Sequence, residues 1–194
     1  MAVSQKEKTE ITHNQLKATA LKLFLDKGYE QTGIKEIAEN SGYAVGSFYR
    51  HWKSKQQILM EIWDDFASDF IRGSIENAPT QGDELKMVDY LIARSDQFAQ
   101  HEITKNIFLT SQILSAQSGY EDISQWASKY TEMLYNFLKR ISKSEDENKL
   151  RSTASIMHTI LNAHAMQNTN TFKLSAFDND TLACCLISII KGCI

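Results

Sequence analysis

The sequence predicts an all-α fold of about nine helices, because apolar residues recur at spacings of three and four along most of the chain. No stretch of any length shows the alternation typical of a strand, and proline occurs only once, at Pro79. The 194 residues can form a small N-terminal module and a larger helical core, although a single continuous fold would also suit this length. No apolar run approaches the roughly 20 residues of a membrane span.

The first helices are predicted from capping residues and breaks. Thr12 and Gln15 have the spacing of a capping box that begins a first helix, and Gly28 is a plausible end for it. Thr32 is predicted to cap a short second helix, which Ser41-Gly42 then ends. These short units around sharp breaks are typical of a helix-turn-helix DNA reader.

A third short helix is predicted around Val45 to Trp52. Phe48 and Trp52 are four residues apart and can share its buried side, while Ser47 and Arg50 are expected to point outward. Ser54 and Gln57 then form a capping box that begins a longer helix. This places Lys55 in a first helical turn, where backbone N–H groups also favour an anion such as phosphate.

The clearest boundary in the sequence is the stretch Gly73 to Gly82, which holds Pro79. Beyond it the apolar spacing predicts five helices, at about 83–101, 104–116, 120–142, 145–166 and 178–191. We place the helix-turn-helix domain at 1–54 and assign the longer helix that follows Ser54, with all later helices, to a second helical domain at 55–194. Cys184, Cys185 and Cys193 have neither a zinc nor a redox spacing, and we expect buried or half-exposed thiols.

Charge is distributed unevenly between the two parts of the chain. Residues 1–55 hold nine Lys and Arg against six Asp and Glu, a net charge of +3. The remaining residues hold twelve against eighteen, a net charge of −6. Phosphate contacts need cations only where the duplex lies, so this asymmetry favours a DNA-binding N-terminal domain and an acidic, solvated second domain.

Residues 12–60 contain an ordered set of small, aromatic, hydroxyl and basic positions: Ala20, Leu23-Phe24, Gly28-Tyr29, Thr32, Ile37-Ala38, Gly42, Gly46, Tyr49, His51-Trp52, Ser54-Lys55 and Leu59. With this set the N-terminal domain resembles that of the tetracycline-repressor (TetR) family of one-component transcriptional regulators. Three positions depart from the family pattern: Gly33, Tyr43 and Ala44. These departures concern capping and base reading, and hence the operator sequence, more than the fold.

The resemblance implies which side chains meet DNA. Its matched positions place phosphate contacts at Thr32, Tyr49, His51 and Lys55. Base or nearby backbone contacts fall at Val45, Gly46, Ser47 and Arg50. Among the residue types, Arg50 is the best candidate for a bidentate guanine contact, although an outward polar residue on a helix is often simply solvated.

The resemblance also implies an effector pocket in the second domain and a homodimer formed by the last two helices. From the residues alone, this helix pair could equally be intramolecular core. We expect an apolar or amphipathic effector, because few charged residues lie on the relevant faces, although core packing is the stronger explanation for each aromatic residue. The candidate lining residues are Phe66, Phe70, Phe98, Phe108, Trp126 and Tyr130.

The sequence therefore predicts a ligand-responsive DNA-binding regulator, located in the cytoplasm and binding as a homodimer to a palindromic operator. Repression is the common family behaviour, and activation is possible. The alternative is a helical protein-interaction or nucleoid-associated factor without specific operator reading. An enzyme is disfavoured, because no nucleophile–base pair or metal-ligand cluster is visible, and we expect no cofactor, no metal and no membrane partner.

Overall fold

The computed structural model describes residues 4–79, 84–118, 122–142, 144–167 and 178–192, except for the side chains of residues 109, 112, 114–118 and 122–127. Within these ranges the chain is all-helical and contains no strand, as predicted. None of the helices described is long and apolar enough to cross a membrane. Over the same ranges there are nine helices: α1 (Gln5–Lys27), α2 (Ile34–Asn40), α3 (Val45–Tyr49), α4 (Lys55–Glu76), α5 (Glu84–Gln100), α6 (Glu102–Ser118), α7 (Asp122–Ile141), α8 (Glu147–Gln167) and α9 (Asn179–Lys191).

The chain forms two compact units. The first comprises Met1–Phe66 and Asn106–Gly119, and the second comprises Ala67–Lys105 and Tyr120–Ile194. Both boundaries of the first unit within the chain fall inside helices, in α4 and in α6. The division of function after residue 54 remains a prediction.

Helix α1 begins earlier than the sequence predicted. Ser4 is its N-cap, and Ser4 and Glu7 form a complete capping box. The Thr12 hydroxyl donates to the Lys8 carbonyl oxygen at 2.9 Å inside the helix, so the prediction of a start at Thr12 was wrong. The predicted end is confirmed: Gly28 has φ +89°, which favours glycine, and its N–H donates to the Phe24 carbonyl oxygen.

Helices α2 and α3 are short and lack side-chain caps. Gly33 and Ala44 occupy their N-cap positions, and neither makes a capping side-chain hydrogen bond, so the prediction of Thr32 as the N-cap was wrong. Gly42 adopts φ +76° in the turn between them, which confirms the predicted break. Isolated helices of 7 and 5 residues have little stability of their own, so tertiary packing must hold them.

Helix α4 begins at Lys55, as predicted, but its capping differs in detail. The Ser54 hydroxyl accepts from the Gln57 N–H at 3.3 Å. The Gln57 side-chain oxygen accepts from the N–H of Lys53, one residue earlier than a capping box requires. The helix continues to Glu76, so Gly73 is helical and the predicted boundary begins only at Asn77.

The second unit has an apolar core formed by α5, α7, α8 and α9. The five predicted helices are confirmed to within a few residues at each end. On α8 and α9 the apolar residues that attracted attention in the sequence are largely intramolecular core: Leu150, Ala154, Met157, Leu161, Leu182, Leu186 and Ile190 are all buried. Cys184 and Cys185 are exposed, which contradicts the expectation for these thiols, and Cys193 lies outside the described residues.

Candidate nucleic-acid interface

Helix α3 has one buried side and one open side. Phe48 is fully buried and Trp52, just beyond the helix, is 4% exposed, as their spacing predicted. On the other side Gly46 and Arg50 are exposed and Tyr49 is 56% exposed. A tyrosine so open to solvent has little role in the core, so this face of α3 is available for a partner.

The buried side is fixed by an aromatic and polar cluster. The rings of Phe48 and Trp52 lie 5.4 Å apart between centroids, and the Trp52 indole N–H donates to Glu61 Oε2 at 2.6 Å. The Glu61 carboxylate also accepts from Lys17 Nζ at 2.8 Å. Glu61 belongs to α4 and Lys17 to α1, so this cluster anchors the chain just after α3 to both longer helices.

Two predicted DNA-contact residues are buried. Thr32 is 1% exposed, and its hydroxyl donates to the Gly28 carbonyl oxygen at 2.8 Å. Ser47 is 7% exposed, so the expectation that it points outward was wrong. Its Oγ accepts from Arg50 Nη2 at 3.0 Å, which places the Ser47 hydroxyl behind the exposed guanidinium.

Lys55 is half-buried and engaged with the loop between α1 and α2. Its ammonium donates to the carbonyl oxygens of Tyr29 at 2.7 Å and Thr32 at 3.0 Å, and approaches that of Glu30 at 3.5 Å. The same nitrogen lies 4.1 Å from the centroid of the Tyr29 ring. Burial lowers the pKa of Lys55. Its role as a point charge for phosphate therefore remains a prediction, alongside a clear structural role.

The remaining predicted residues lie at the edge of the open face. Val45 and His51 are half-buried, and His51 Nδ1 lies 3.4 Å from Nδ1 of His13 on α1. The sequence does not indicate that His13 is a neighbour of this site, because its partner is 38 residues away. Lys53 is an exposed cation four residues after the end of α3, and its charge alone could have suggested it as a further site residue.

Of the six predicted effector residues, five are described and Trp126 lies outside the described side chains. In the first unit, the Trp63 ring lies 5.7 Å from Phe66 and 5.3 Å from Phe108 between centroids. In the second unit, Phe70 and Phe98 are 5.1 Å apart. There Tyr130 lies 5.2 Å from His158, and burial raises the pKa of the Tyr130 phenol.

A cavity of about 560 Å³ in the second unit lies between the end of α4 and one side of α7. Its apolar residues come from both helices, and its charged residues come from α7 alone. None of the six predicted effector residues lines it. The lining residues are Ile75, Ala78, Lys129, Glu132, Met133, Asn136, Lys139 and Arg140.

Comparisons with known proteins agree with this geometry. Residues 16–62 match the profile of the bacterial regulatory proteins of the tetR family. The chain is 24% identical over 170 residues to YerO, an uncharacterised HTH-type transcriptional regulator of Bacillus subtilis, which covers 82% of the chain and 59% of YerO. It is 38% identical over 53 residues to the HTH-type transcriptional repressor KstR2 of Mycolicibacterium smegmatis, which covers 27% of the chain and 26% of KstR2. The chain thus spans less than two thirds of the length of either relative.

Solved structures share the fold over nearly the whole chain. A putative transcriptional regulator from Streptomyces coelicolor, SCO7518, superposes with a TM-score of 0.71 at 13% identity, covering 92% of this chain and 98% of that one. The TetR-family repressor FadR of Thermus thermophilus, solved with lauroyl-CoA, superposes with a TM-score of 0.60 at 13% identity and covers 92% and 93%. At these identities the likeness concerns the fold.

The fold is all-α, and Gly46, Tyr49 and Arg50 form an exposed face on its short third helix, which we call the reading face. This arrangement defines the class of helix-turn-helix proteins. The matched profile covers α2 and α3 completely, together with the second half of α1 and the start of α4. Residues 16–62 therefore form a helix-turn-helix domain of the TetR family, and the chain as a whole is similar to HTH-type transcriptional regulators.

Proposed function

We propose that the protein is a homodimeric, ligand-responsive repressor that binds a palindromic operator and is released by a small apolar or amphipathic effector. It would act where the chromosome is accessible, in the cytoplasm. The observation that carries the proposal is the open face of α3, where Gly46, Tyr49 and Arg50 stand exposed while Phe48 is fully buried. Repression is chosen as the direction of regulation because it is the common behaviour of the TetR family.

Within this proposal the predicted DNA contacts divide into two groups. Tyr49, Arg50 and His51 offer donors to phosphates or base edges, and Val45 and Gly46 allow the helix to approach the groove closely. Thr32 and Ser47 act indirectly. Thr32 fixes the loop between α1 and α2, and Ser47 fixes the Arg50 side chain. Lys55 combines the loop contact with a charge near the phosphates. We add Lys53 as an exposed phosphate contact.

Selection of bound sequences from random duplex DNA, followed by a salt titration of the winning sequence, tests operator reading. Enrichment of a palindrome with two half-sites is the expected result, since a dimeric reader contacts two sites about one DNA turn apart. Weak and strongly salt-dependent binding to every sequence would instead favour the nucleoid-associated alternative. Tyr43 gives that alternative little support, because its hydroxyl is used within the protein, donating to Gln15 Oε1.

Two variants distinguish a loss of DNA binding at the reading face from a loss of folding. A methyl group at Gly46 would meet no atom within 4 Å in the free protein, and alanine favours a helix by about 0.5–1 kcal/mol over glycine. Gly46→Ala should therefore fold at least as well as wild type but bind the operator more weakly. Arg50→Ala should relax the preference at one base pair by about 1–3 kcal/mol. Unchanged affinity and preference in both variants would place the reading face elsewhere.

The proposed dimer uses the sides of α8 and α9 that the core leaves uncovered. Ile156 on α8 is 51% exposed, and Ile160 is half-buried. On α9 the exposed thiols Cys184 and Cys185 lie on the uncovered side. An exposed isoleucine of this size suits an interface between copies, and two reading heads on one two-fold axis match a palindromic operator.

Ile156→Glu tests this interface against a matched control. Leu85 on α5 is also 51% exposed and also lies in the second unit. We expect Ile156→Glu to convert the dimer to monomers in analytical ultracentrifugation, because it places a charge in the apolar contact, and Leu85→Glu to leave the dimer intact. A stable dimer in both variants would exclude this surface of α8.

An effector would act by favouring a spacing of the two helix-turn-helix domains of the dimer that no longer fits the operator. Because the two binding equilibria are linked, DNA must weaken effector binding by the same factor. The lauroyl-CoA complex of FadR supports an amphipathic ligand. Thr104 supports a polar end for it, since its buried hydroxyl has no hydrogen-bond partner among the described residues. Acyl-chain compounds should release labelled operator from the wild type, and less readily from Thr104→Val. Unaltered release by Thr104→Val would remove this residue from the site.

A further inference from the structure

A pair of histidines lies beside the reading face. His13 comes from α1 and His51 follows α3, and their Nδ1 atoms are 3.4 Å apart. The two rings meet nearly edge to face, with an interplanar angle of 74° and centroids 5.1 Å apart. The His13 ring also stacks on Trp52 at 4.4 Å. Packing therefore fixes the position of His13, and His13 in turn faces only one nitrogen of His51.

The other nitrogen of His13 is committed to a carboxylate. His13 Nε2 lies 2.6 Å from Glu61 Oε1, while Trp52 and Lys17 donate to the same carboxylate. Burial raises the pKa of Glu61, but these hydrogen bonds outweigh it and the net pKa is lowered. An ionised carboxylate can only accept, so His13 must carry a proton on Nε2.

When both imidazoles of the pair are neutral, the pair carries two protons, and one of these occupies Nε2 of His13. Two bare Nδ1 lone pairs facing each other at 3.4 Å would repel, so the second proton lies between His13 and His51. No proton then remains for His51 Nε2. A phosphate oxygen in DNA only accepts hydrogen bonds. His51 Nε2 can therefore donate to DNA only after the His13–His51 pair has taken up a third proton.

We propose that His13 is a positioning residue that fixes the protonation of His51, so that operator binding takes up a proton on the His13–His51 pair. This inference rests on the proposed operator-binding function. The charged groups around the pair are Lys17 on α1, Arg50 after α3, and Glu61 and Asp65 on α4. In the free protein, burial first, and then the charges of His13 and Arg50, lower the pKa of His51.

The expected pH dependence of operator affinity follows from the proton that the His13–His51 pair takes up on binding. A bound phosphate favours the cationic pair and raises its pKa relative to the free protein. Between the free and bound pKa values, binding takes up a proton, and affinity rises as pH falls. The limit for one proton is a tenfold change in dissociation constant per pH unit. The window begins below pH 6.5, because the free His51 pKa is lowered from that value.

Operator affinity measured at fixed salt between pH 5.5 and 8.5 tests the proposal, with calorimetry in two buffers of different ionisation enthalpy to count protons. Wild type should show tighter binding at lower pH and net proton uptake. His13→Phe keeps an aromatic ring against Trp52 but removes Nδ1, so His51 can take the Nε2–H tautomer without an added proton. This variant should bind at pH 8 at least as well as wild type, with a flat pH profile.

Two further variants keep the test decisive. His51→Gln offers a permanent amide donor and should also flatten the profile, even if His13→Phe fails to fold. His101→Asn alters an exposed histidine in the second unit at the residue preceding α6, where asparagine suits an N-cap, and should retain the wild-type slope. A wild-type slope in His13→Phe and His51→Gln would overturn the proposal.

The protonation pattern can also be read without DNA. Long-range ¹H–¹⁵N spectra of the free protein near pH 7.5 should assign His13 as the Nε2–H tautomer and His51 as the Nδ1–H tautomer. The opposite tautomers would overturn the inference. Tight, specific operator binding with no pH dependence would also overturn it while leaving the proposed function standing, whereas a lack of DNA binding at every pH would remove both.

Discussion

The reading helices of the first unit and the bundle of the second unit are stabilised in different ways. Helices α2 and α3 have 7 and 5 residues and no side-chain caps, and they depend on contacts with residues distant in sequence. Helices α7 and α8 have 20 and 21 residues and pack through continuous apolar faces. Individual polar side chains therefore set the geometry of the reading head, whereas repeated apolar positions set that of the bundle.

The largest expected effects come from one core residue in each unit. Phe48→Ala should lower the free energy of unfolding by about 3–5 kcal/mol, and Leu134→Ala by about 2–5 kcal/mol, because both side chains are fully buried. Urea denaturation measures both losses. Under conditions where both variants are folded, Phe48→Ala should lose operator binding, since it releases α3, and Leu134→Ala should retain it. Equal losses of operator affinity in the two variants would contradict the assignment of DNA reading to the first unit.

A smaller effect separates two neighbouring lysines of the first unit. Lys55→Met leaves loop carbonyls without their donor and should cost about 1–3 kcal/mol of stability. Lys53→Met removes an exposed side chain and should leave stability unchanged. Each variant that loses a phosphate contact should reduce the slope of log affinity against log salt by about 0.9. Equal stability of the two variants would mean that the Lys55 contacts do not hold the loop.

The same difference explains what the sequence could predict. Beyond Pro79, apolar spacing located all five helices, because a long helix buries a periodic face whatever its capping. In the first unit the motif placed the turn at Gly42 and the open face at Tyr49 and Arg50. The sequence wrongly predicted Thr32 as a helix cap and Ser47 as an outward side chain, because neither a capping pattern nor helical spacing reveals the loop carbonyl and the guanidinium that these hydroxyls contact. The contact between His13 and His51 joins positions 38 residues apart, and no local pattern indicates it.

The smallest effect concerns the carboxylate that joins α1, α4 and the end of the reading helix. Because the net pKa of Glu61 is lowered from 4.5, this group contributes stability that is present above about pH 4.5 and lost as pH falls through the lower, folded value. Glu61→Gln should be less stable than wild type at pH 7, and the difference should narrow below pH 4.5 in denaturation measured at several pH values.

Asp65→Asn is the matched control for this acid dependence, because Asp65 lies one turn further along α4 and accepts from the same Lys17 ammonium. Its carboxylate is 59% exposed against 32% for Glu61, so water screens its ion pair more fully and its loss should change stability less. A Glu61→Gln deficit that stays constant down to pH 3 would mean that shape, rather than charge, makes this residue important. The polar anchoring of α3 would then rest on other contacts, such as those of Lys55 with the loop carbonyls.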